Sequence, residues 1–175
     1  MNNYLPRTWV SAKLAPGPSK IHGVGVIAVA PIAMGEKLME FGGDVISARD
    51  VASETYRIRS LWIVRDGVYL GVPESDPAPT LDENLNHSCD ANSWLGDVVT
   101  LLARREIAAG EEITLDQGTW NFDEDDYAWD QHYCSCGAAQ CRGNLTEQDW
   151  KRPDVQARYR GHFHPMIQAM IAMAA

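Results

Sequence analysis

Cys134-Ser135-Cys136-Gly137-Ala138-Ala139-Gln140-Cys141 brings three thiols close together around a glycine that lets the backbone turn. The chain has one other cysteine, Cys89, in the upstream segment Asn86-His87-Ser88-Cys89. Three thiolates at this spacing fit three corners of a tetrahedral zinc site. With Cys89 as the fourth ligand, we predict a closed structural zinc site that pins the end of the chain to a distant segment.

Histidines offer other ligands for this metal. His132 lies beside the cluster and is an alternative fourth ligand, while His162 and His164 alternate on a short segment and could in principle bind metal. We interpret all three as ordinary surface or packed histidines. The alternative interpretation is that the four cysteines are unrelated buried or exposed thiols, but their clustering and their number favour a bound zinc ion.

The composition is that of a soluble globular protein. The 175 residues suit one domain with at most a small appendage, and 45% of them are hydrophobic and 22% charged. The net charge of −9 argues against a nucleic-acid partner, because no excess of Lys and Arg exists to neutralise phosphates. It agrees better with a basic partner such as a lysine-rich peptide, although many acidic proteins have none.

The sequence predicts no membrane association. Nowhere does an apolar run approach the ~20 residues that a spanning helix needs. Residues 1–10 lack the basic and long apolar regions of a secretory leader. We therefore expect a cytoplasmic protein in a reducing compartment, where cysteines are free or metal-bound rather than paired as disulfides. The sequence carries no signal for an oligomeric state.

Short apolar runs between turn residues predict a mainly β fold with short helices. Asp66-Gly67 and Gly96-Asp97 predict the turns of two hairpins. Ser47 predicts the N-cap of a helix that leads through about Arg59. The predicted strands are 24–30, 37–41, 44–47, 61–64, 68–72, 92–95, 98–103 and 112–115.

From Thr146 onward the pattern is helical. Pro153 and Pro165 fit the first position of a helix. An apolar stripe, which we expect to pack on the protein's own core rather than form a dimer contact, consists of Met166, Ile167, Met170, Ile171 and Met173. The acidic run 123–126 is expected to be a solvated loop, because it lacks the glycine and distal glutamate of an EF-hand loop.

Four segments, in order along the chain, resemble the motifs of the SET-domain family. His22-Gly23-Val24-Gly25-Val26-Ile27-Ala28 resembles the first motif, Gly-x-Gly-x-x-Ala. Asn86-His87-Ser88-Cys89-Asp90-Ala91-Asn92 resembles Asn-His-Ser-Cys-x-Pro-Asn, with Ala91 in place of proline. Gly110-Glu111-Glu112-Ile113-Thr114-Leu115-Asp116 resembles Gly-Glu-Glu-Leu-Thr-x-Asp-Tyr. Residues 134–143 resemble the post-SET segment, in which Cys-x-Cys is followed by Cys-Arg-Gly.

This resemblance to SET-domain protein-lysine methyltransferases covers about residues 9–145 and implies a fold. The SET domain, a β-clip fold, would span 9–120, and its C-terminal strand would thread beneath an earlier loop as a pseudoknot. A post-SET zinc segment would span 130–146. Residues 147–175 would then form a short helical tail.

The resemblance also implies S-adenosylmethionine as the cofactor. By match to the motifs, the Asn86 side chain would bind the methionine end and the His87 backbone the adenine. Glycines at Gly23 and Gly25 would permit close approach of the backbone to the ligand. The predicted cofactor-binding residues are His22, Gly23, Val24, Gly25, Asn86, His87, Gln117, Trp120 and Leu145, the last two as candidates for an apolar wall beside the adenine.

Members of the family place two tyrosine hydroxyls around the lysine amine, and both positions differ here. Phe41 occupies the first and Gln117 the second, while Leu115 stands where relatives carry the residue that gates the methylation state. Phe41 cannot hydrogen-bond the amine, whereas the Gln117 carbonyl can accept from it. The predicted catalytic residues are Gln117, Phe41, Leu115 and Tyr69, with Tyr127 and Tyr133 as further sources of a hydroxyl.

Two functions follow. The first is a protein-lysine N-methyltransferase acting on a lysine-containing protein, such as a histone. The second is a catalytically impaired SET module that binds S-adenosylmethionine or a basic peptide. The matches at Gly23, Gly25, Asn86 and His87 favour the enzyme, and the departures at Phe41 and Gln117 favour the module.

Overall fold

The computed structural model describes residues 4–121 and 133–174, and strands form most of its regular structure. The strands are β1 (Trp9–Val10), β2 (Leu14–Pro18), β3 (Val24–Ala28), β4 (Lys37–Glu40), β5 (Asp44–Ser47), β6 (Trp62–Arg65), β7 (Val68–Gly71), β8 (Asn86–His87), β9 (Ser93–Leu95), β10 (Thr100–Ala103) and β11 (Glu112–Leu115). The α-helices are α1 (Ala48–Val51), α2 (Pro153–Arg158) and α3 (Pro165–Ala174). The predicted fold class, mainly β with short helices, is confirmed.

These strands form three small sheets. One has the order β1-β4-β10-β9, the second β2-β3-β11-β8 and the third β5-β7-β6. All pairs are antiparallel except β11 with β8. Single-turn 3-10 helices join the strands and include Leu81–Asn84 just before β8 and Gln117–Thr119 just after β11.

Strand β11 lies between two earlier strands. It pairs antiparallel with β3 and parallel with β8, where Thr114 is opposite Asn86 and Leu115 is opposite His87. A parallel pair needs a crossover connection, and here the chain leaves β8, forms β9 and β10, and returns. This late insertion of a strand among earlier ones is the arrangement that the predicted fold requires.

Both predicted hairpins form. Strands β6 and β7 flank Asp66-Gly67, and Gly67 has the positive φ of 64° that such a turn demands of its glycine. Strands β9 and β10 flank a longer turn, in which the Asp97 carboxylate accepts hydrogen bonds from the backbone N–H groups of Val99 and Thr100.

The predicted first helix is much shorter than expected. Ser47 does cap α1, because its Oγ accepts from Asp50 N while the Asp50 carboxylate accepts from Ser47 N at 2.8 Å. The helix nevertheless ends at Val51 rather than near Arg59. Glu54 has φ of 55°, a left-handed conformation that a right-handed helix cannot include.

The main core lies between the sheets. Its fully buried members include Val26, Leu38, Leu70, Leu101 and Ile113, one from each of five strands. Because alternate strand residues point to the same face, these positions follow from the short apolar runs in the sequence.

The helical tail builds a second core. Val155, Tyr159 and Ile167 are fully buried there and pack around Ala91. The predicted helix starts at Pro153 and Pro165 are confirmed, and α3 packs through Ile167 while Met173 is 80% exposed. The stripe on α3 therefore packs on the protein's own core through part of its length. In the described ranges, no helix combines the length and the apolar character needed to cross a membrane.

Tyr159 explains the one departure from the Asn86–Asn92 motif. Ala91 stands where the motif has proline, and its N–H donates to the Tyr159 hydroxyl at 3.1 Å. Both residues are fully buried. A proline at this position would have no N–H to donate, whereas the buried N–H of Ala91 needs an acceptor and finds it in the Tyr159 hydroxyl.

We predict that Tyr159→Phe lowers the free energy of unfolding by about 1–3 kcal/mol, because it leaves the buried Ala91 N–H without an acceptor. Urea denaturation measures the loss. In an Ala91→Pro background the same substitution should cost much less. An equal cost in both backgrounds would show that the hydroxyl does not act through this bond.

Candidate functional site

The four cysteines form one cluster. Their sulfur atoms all lie within 4.8 Å of one another, and Cys89 Sγ is 3.8 Å from Cys134 Sγ. Cys89 and Cys134 are buried, whereas Cys136 and Cys141 are partly exposed. Four sulfur ligands without an open position fit a tetrahedral structural zinc ion. The predicted cluster is therefore confirmed, with Cys89 as its upstream member.

Backbone and side-chain donors surround these sulfur atoms. Cys89 N donates to Cys136 Sγ at 3.5 Å, and Arg142 N donates to Cys89 Sγ at 3.3 Å. Burial raises the pKa of Cys89 to about 11. Burial also acts to raise the pKa of Cys136, but hydrogen bonds from the N–H groups of Cys89 and Ala138 outweigh it and lower this pKa to about 7. A divalent cation bound by the four cysteines would supply the positive charge that holds all four groups as thiolates.

The histidines considered as ligands lie elsewhere. His162 stacks on the Trp94 ring with a centroid distance of 3.5 Å. His164 is fully buried, its Nε2 is 3.1 Å from the Ile63 carbonyl oxygen, and burial lowers its pKa to about 4. Both are packed histidines, as predicted. His132, Tyr127 and the acidic run 123–126 lie outside the described residues.

A buried ion network joins the cysteine segment to β11. Arg142 follows the last cysteine and binds Asp116 through two hydrogen bonds, Nη1 to Oδ2 at 2.9 Å and Nη2 to Oδ1 at 2.6 Å. Its Nε lies 2.7 Å from Asp149 Oδ2. The Arg142 side chain is 2% exposed, so this pairing is fully desolvated and sensitive to the loss of either partner.

A cleft of about 530 Å³ lies beside the cysteine cluster and gathers most of the predicted site residues. The predicted residues that line it are His22, Phe41, Asn86, His87, Leu115, Gln117, Trp120 and Leu145. Tyr133 lines it as well. Gly23, Val24, Gly25 and Tyr69 are not among the lining residues, and Tyr69 lies on β7 opposite Ile46 of β5.

Asn86 is fixed by its amide nitrogen. Nδ2 lies 2.7 Å from Glu112 Oε1, 3.0 Å from the His22 carbonyl oxygen and 3.1 Å from Ser19 Oγ. All of these atoms can accept, so the nitrogen faces the β3 side of the strand pair. The side-chain carbonyl oxygen of Asn86 can therefore accept a hydrogen bond from a ligand.

Gly25 leaves room for the Glu112 carboxylate that accepts from Asn86, a role in addition to the predicted close approach of the backbone to a ligand. A Cβ at this position would lie 2.3 Å from Glu112 Oε1, far inside van der Waals contact. Gly23 differs, because its φ is 52° and a Cβ there would meet nothing within 4 Å. The sequence pattern predicted one role for both glycines, whereas the structure gives them two.

His87 connects the cleft to the cysteines through its side chain. Its Nδ1 accepts from Gln117 N at 3.0 Å, so its Nε2 carries the proton and donates to Cys89 Sγ at 3.2 Å. Burial lowers the pKa of His87 to about 4, which keeps the ring neutral. The motif predicted only a backbone role for this residue.

Three aromatic rings form one side of the cleft. Phe41 stacks on Trp62 with centroids 4.0 Å apart, and Trp62 lies against Trp120 at 5.2 Å. Gln117 is 5% exposed, and its Oε1 has no hydrogen-bond partner among the described residues. An apolar wall beside a buried acceptor suits the aliphatic chain and terminal N–H groups of an amine.

Trp62 and Asp82 also line this cleft, and the sequence pattern did not single them out. Trp62 belongs to the predicted strand 61–64, for which the sequence predicted no role in a site. Asp82 lies four positions before Asn86, in a segment without a recognisable motif. Their place in the site depends on contacts between distant segments, which no local signal reports.

Comparisons with known proteins identify the family of this chain. The family model described as SET domain matches residues 23–118, more than half of the chain. The chain is 28% identical over 160 residues to the histone-lysine N-methyltransferase ATX2 of Arabidopsis thaliana, an alignment that covers 83% of this chain and 14% of that protein. It is 31% identical over 140 residues to the histone-lysine N-methyltransferase set-2 of Caenorhabditis elegans, covering 73% and 9%.

A shorter relative is matched over more of its length. The probable histone-lysine N-methyltransferase set-23 of Caenorhabditis briggsae is 28% identical over 159 residues, which is 82% of this chain and 64% of that protein. The chain thus spans about 14% of the length of the first curated relatives that it matches.

We predict that metal analysis finds one zinc per chain and that Cys89→Ser loses most of it. Binding free energy at such a site is folding free energy, so strong chelators should also loosen the segment from residue 133 onward. Proteolysis with and without chelator measures this loosening. Ser135→Ala, which leaves every sulfur in place, serves as the control. Zinc content unchanged in Cys89→Ser would show that Cys89 does not close the site.

Proposed function

Since the chain belongs to the SET-domain family, we propose that it is a protein-lysine N-methyltransferase that uses S-adenosylmethionine. The observation that carries this proposal is the parallel register of β8 and β11, which places Asn86 and His87 next to Leu115 at one cleft. Gln117 follows directly at the end of β11. One cleft therefore holds Asn86 and His87, which are matched to cofactor binding, together with residues matched to the acceptor amine.

The cofactor site would use Asn86 and the apolar residues beside the cysteines. S-adenosylmethionine, when bound, supplies an electrophilic methyl group on a sulfonium. The Asn86 carbonyl oxygen would accept from the amino group of its methionine end, because the amide nitrogen is already engaged. Leu145 is 4% exposed beside Cys89 and Cys134 and lines the cleft, so it suits the apolar wall predicted for the adenine.

The acceptor side must hold a neutral amine. A free lysine has a pKa of ~10.4, and a desolvated channel lowers it by disfavouring the charged form. Phe41 and Trp62 would exclude water from the lysine side chain, and the Gln117 carbonyl would accept an N–H and so orient the lone pair. Leu115 carries no hydroxyl that could hold a water at this point.

The substrate we propose is a lysine-containing protein of the histone type. The matched relatives are named histone-lysine N-methyltransferases, and a net charge of −9 suits a basic segment. We propose no direct contact with nucleic acid and no membrane partner. A reducing, intracellular location such as the cytoplasm suits a site of four thiols without disulfides.

A specific observation favours a second function. Phe41 and Gln117 replace both expected phenols, and Phe41 is 4% exposed and stacked on Trp62. A SET module with this lining could bind S-adenosylmethionine or a basic peptide without transferring a methyl group. The first experiment below tests the cofactor binding that both functions share, and the second separates the two functions.

Cofactor binding should be independent of catalysis. We predict that S-adenosylmethionine or its demethylated product raises the melting temperature by mass action, and that Asn86→Ala removes most of this shift. Differential scanning fluorimetry measures it. Asn84→Ala, two residues away and outside the cleft, should keep the shift. Indifference of the wild-type protein to millimolar cofactor would contradict both functions.

Methyl transfer to histones from radiolabelled S-adenosylmethionine should be detectable but slow, because small losses of positioning cost up to ~10²-fold in rate. Gln117→Tyr, alone or with Phe41→Tyr, should raise the rate by restoring a phenol.

The methylation state of the product is a second readout. Mass spectrometry should find more than one methyl group on a lysine, since the Leu115 side chain has no hydroxyl to hold a water. A silent wild type with an active double variant would establish the module instead. If Gln117→Tyr abolishes a robust wild-type activity, the assignment of Gln117 to the position of the second tyrosine is wrong. If the product is exclusively monomethyl-lysine, the assignment of Leu115 as the residue that permits multiple methylation is wrong.

A further inference from the structure

A carboxylate that does not itself line the cleft lies directly behind Asn86. The amide nitrogen of Asn86 donates to Glu112 Oε1 at 2.7 Å, which is the shortest of its four hydrogen bonds. Asn86 is among the residues that line the cleft, whereas Glu112 is not. The contact between Glu112 and a ligand in the cleft is therefore indirect and runs through the Asn86 amide.

Two backbone carbonyl groups already fix which way the Asn86 amide faces. Nδ2 lies 3.0 Å from the His22 carbonyl oxygen and 3.3 Å from that of Val24. A carbonyl oxygen only accepts, so the amide nitrogen must face these two groups and the amide oxygen must face away from them. Glu112 is thus not needed for this orientation. It adds a negative charge next to the amide N–H.

The fold holds the Glu112 carboxylate in this place. The Ser19 hydroxyl lies 2.8 Å from both of its oxygen atoms, and the same hydroxyl oxygen accepts from Ile21 N at 2.8 Å. Gly25 leaves the space that the carboxylate occupies, because a Cβ there would lie 2.3 Å from Glu112 Oε1. The charge behind Asn86 is therefore fixed in position rather than carried by a mobile surface group.

This carboxylate is not neutralised by a cation. In the part of the chain that the structure describes, Glu112 forms no salt bridge, whereas its neighbour Glu111 is paired with Arg105 at 2.8 Å. Arg59 lines the cleft, but it is solvent-exposed and is not an ion-pair partner of Glu112. The unpaired charge polarises the Asn86 amide, since a strong acceptor at the N–H makes the amide oxygen a better acceptor.

We propose that Glu112 is a positioning residue that acts through Asn86 to select the charged amino group of the cofactor's methionine end. The inference rests on the proposed function, in which the Asn86 side-chain oxygen accepts from this group. Along the row from carboxylate through amide to ammonium, each donor faces an acceptor and the end groups carry opposite charges. This ammonium belongs to the cofactor, whereas the amine that must be neutral for methyl transfer belongs to the substrate lysine.

Two ligands that differ only in this amino group test the proposal. They are the demethylated cofactor and its deamino analogue, in which hydrogen replaces the amino group, and isothermal titration calorimetry measures their binding to the full chain. Wild type should bind the amino ligand about 10-fold or more tightly, as a charge-assisted hydrogen bond predicts. Glu112→Gln keeps an acceptor oxygen but removes the charge, so this preference should fall to about threefold or less. Its affinity for the deamino analogue should change by less than about twofold.

Three further variants show whether the charge acts, and through which group. Glu112→Asp keeps the charge one methylene further from the amide, so it should retain a larger preference than Glu112→Gln. In an Asn86→Ala background, Glu112→Gln should have no further effect on the preference, because the charge then has no amide to act through. Glu111→Gln is the matched control. It removes the same charge from the adjacent position, outside the cleft, and should leave the preference at its wild-type value.

Three results would overturn the proposal. The first is a preference that Glu112→Gln leaves unchanged. The second is an equal loss of preference in Glu112→Asp or Glu111→Gln, because the charge next to Asn86 is then not its cause. The third is a Glu112→Gln variant that loses affinity for both ligands to the same extent, which is the result expected of a purely structural role.

The inference and the proposed function fail in different ways. Methyl transfer with an amino-group preference that does not depend on Glu112 would refute the inference and leave the enzyme standing. A Glu112-dependent preference without any methyl transfer would refute the enzyme and support the inference for a module that binds the cofactor.

Discussion

The parallel pairing of Asn86–His87 with Thr114–Leu115 is the interaction on which the site depends. It joins segments that are far apart along the chain, and so it requires the excursion through β9 and β10. Once it forms, Asn86 meets the network of Glu112, and Gln117 meets the His87 ring. The cleft is a consequence of this pairing, because its two functional sides are the ends of the two strands.

The cysteine cluster holds the same pair of strands from outside. Cys89 comes two residues after His87, and Arg142 binds Asp116 at the end of β11. The segment that carries the other three cysteines therefore contacts the residues that directly follow both strands. A metal ion in the cluster would stabilise the wall of the cleft as well as the end of the chain, since Leu145 and Cys134 line both.

Departures from the family pattern are matched by neighbours elsewhere in the chain. Ala91 brings a backbone N–H that proline lacks, and Tyr159 of the helical tail accepts from it. Phe41 and Gln117 remove two phenols, and the cleft instead contains Trp62, a buried amide oxygen and the Asp82 carboxylate. A phenol donates and accepts, whereas an amide oxygen and a carboxylate oxygen only accept, so the replacement set suits a ligand that donates.

Sequence alone determined the cysteine set, both hairpins and strand β11, because each is encoded by local spacing or turn chemistry. The residues at the heart of the cleft were predicted from the resemblance to the SET-domain motifs. Sequence alone erred on the length of α1, where local capping was right but the left-handed Glu54 ends the helix. Only the tertiary structure decided the second role of Gly25 against Glu112, the side-chain role of His87 and the place of Asp82. These depend on atoms from segments distant along the chain, and a residue's own neighbours do not encode which distant group folding will bring to it.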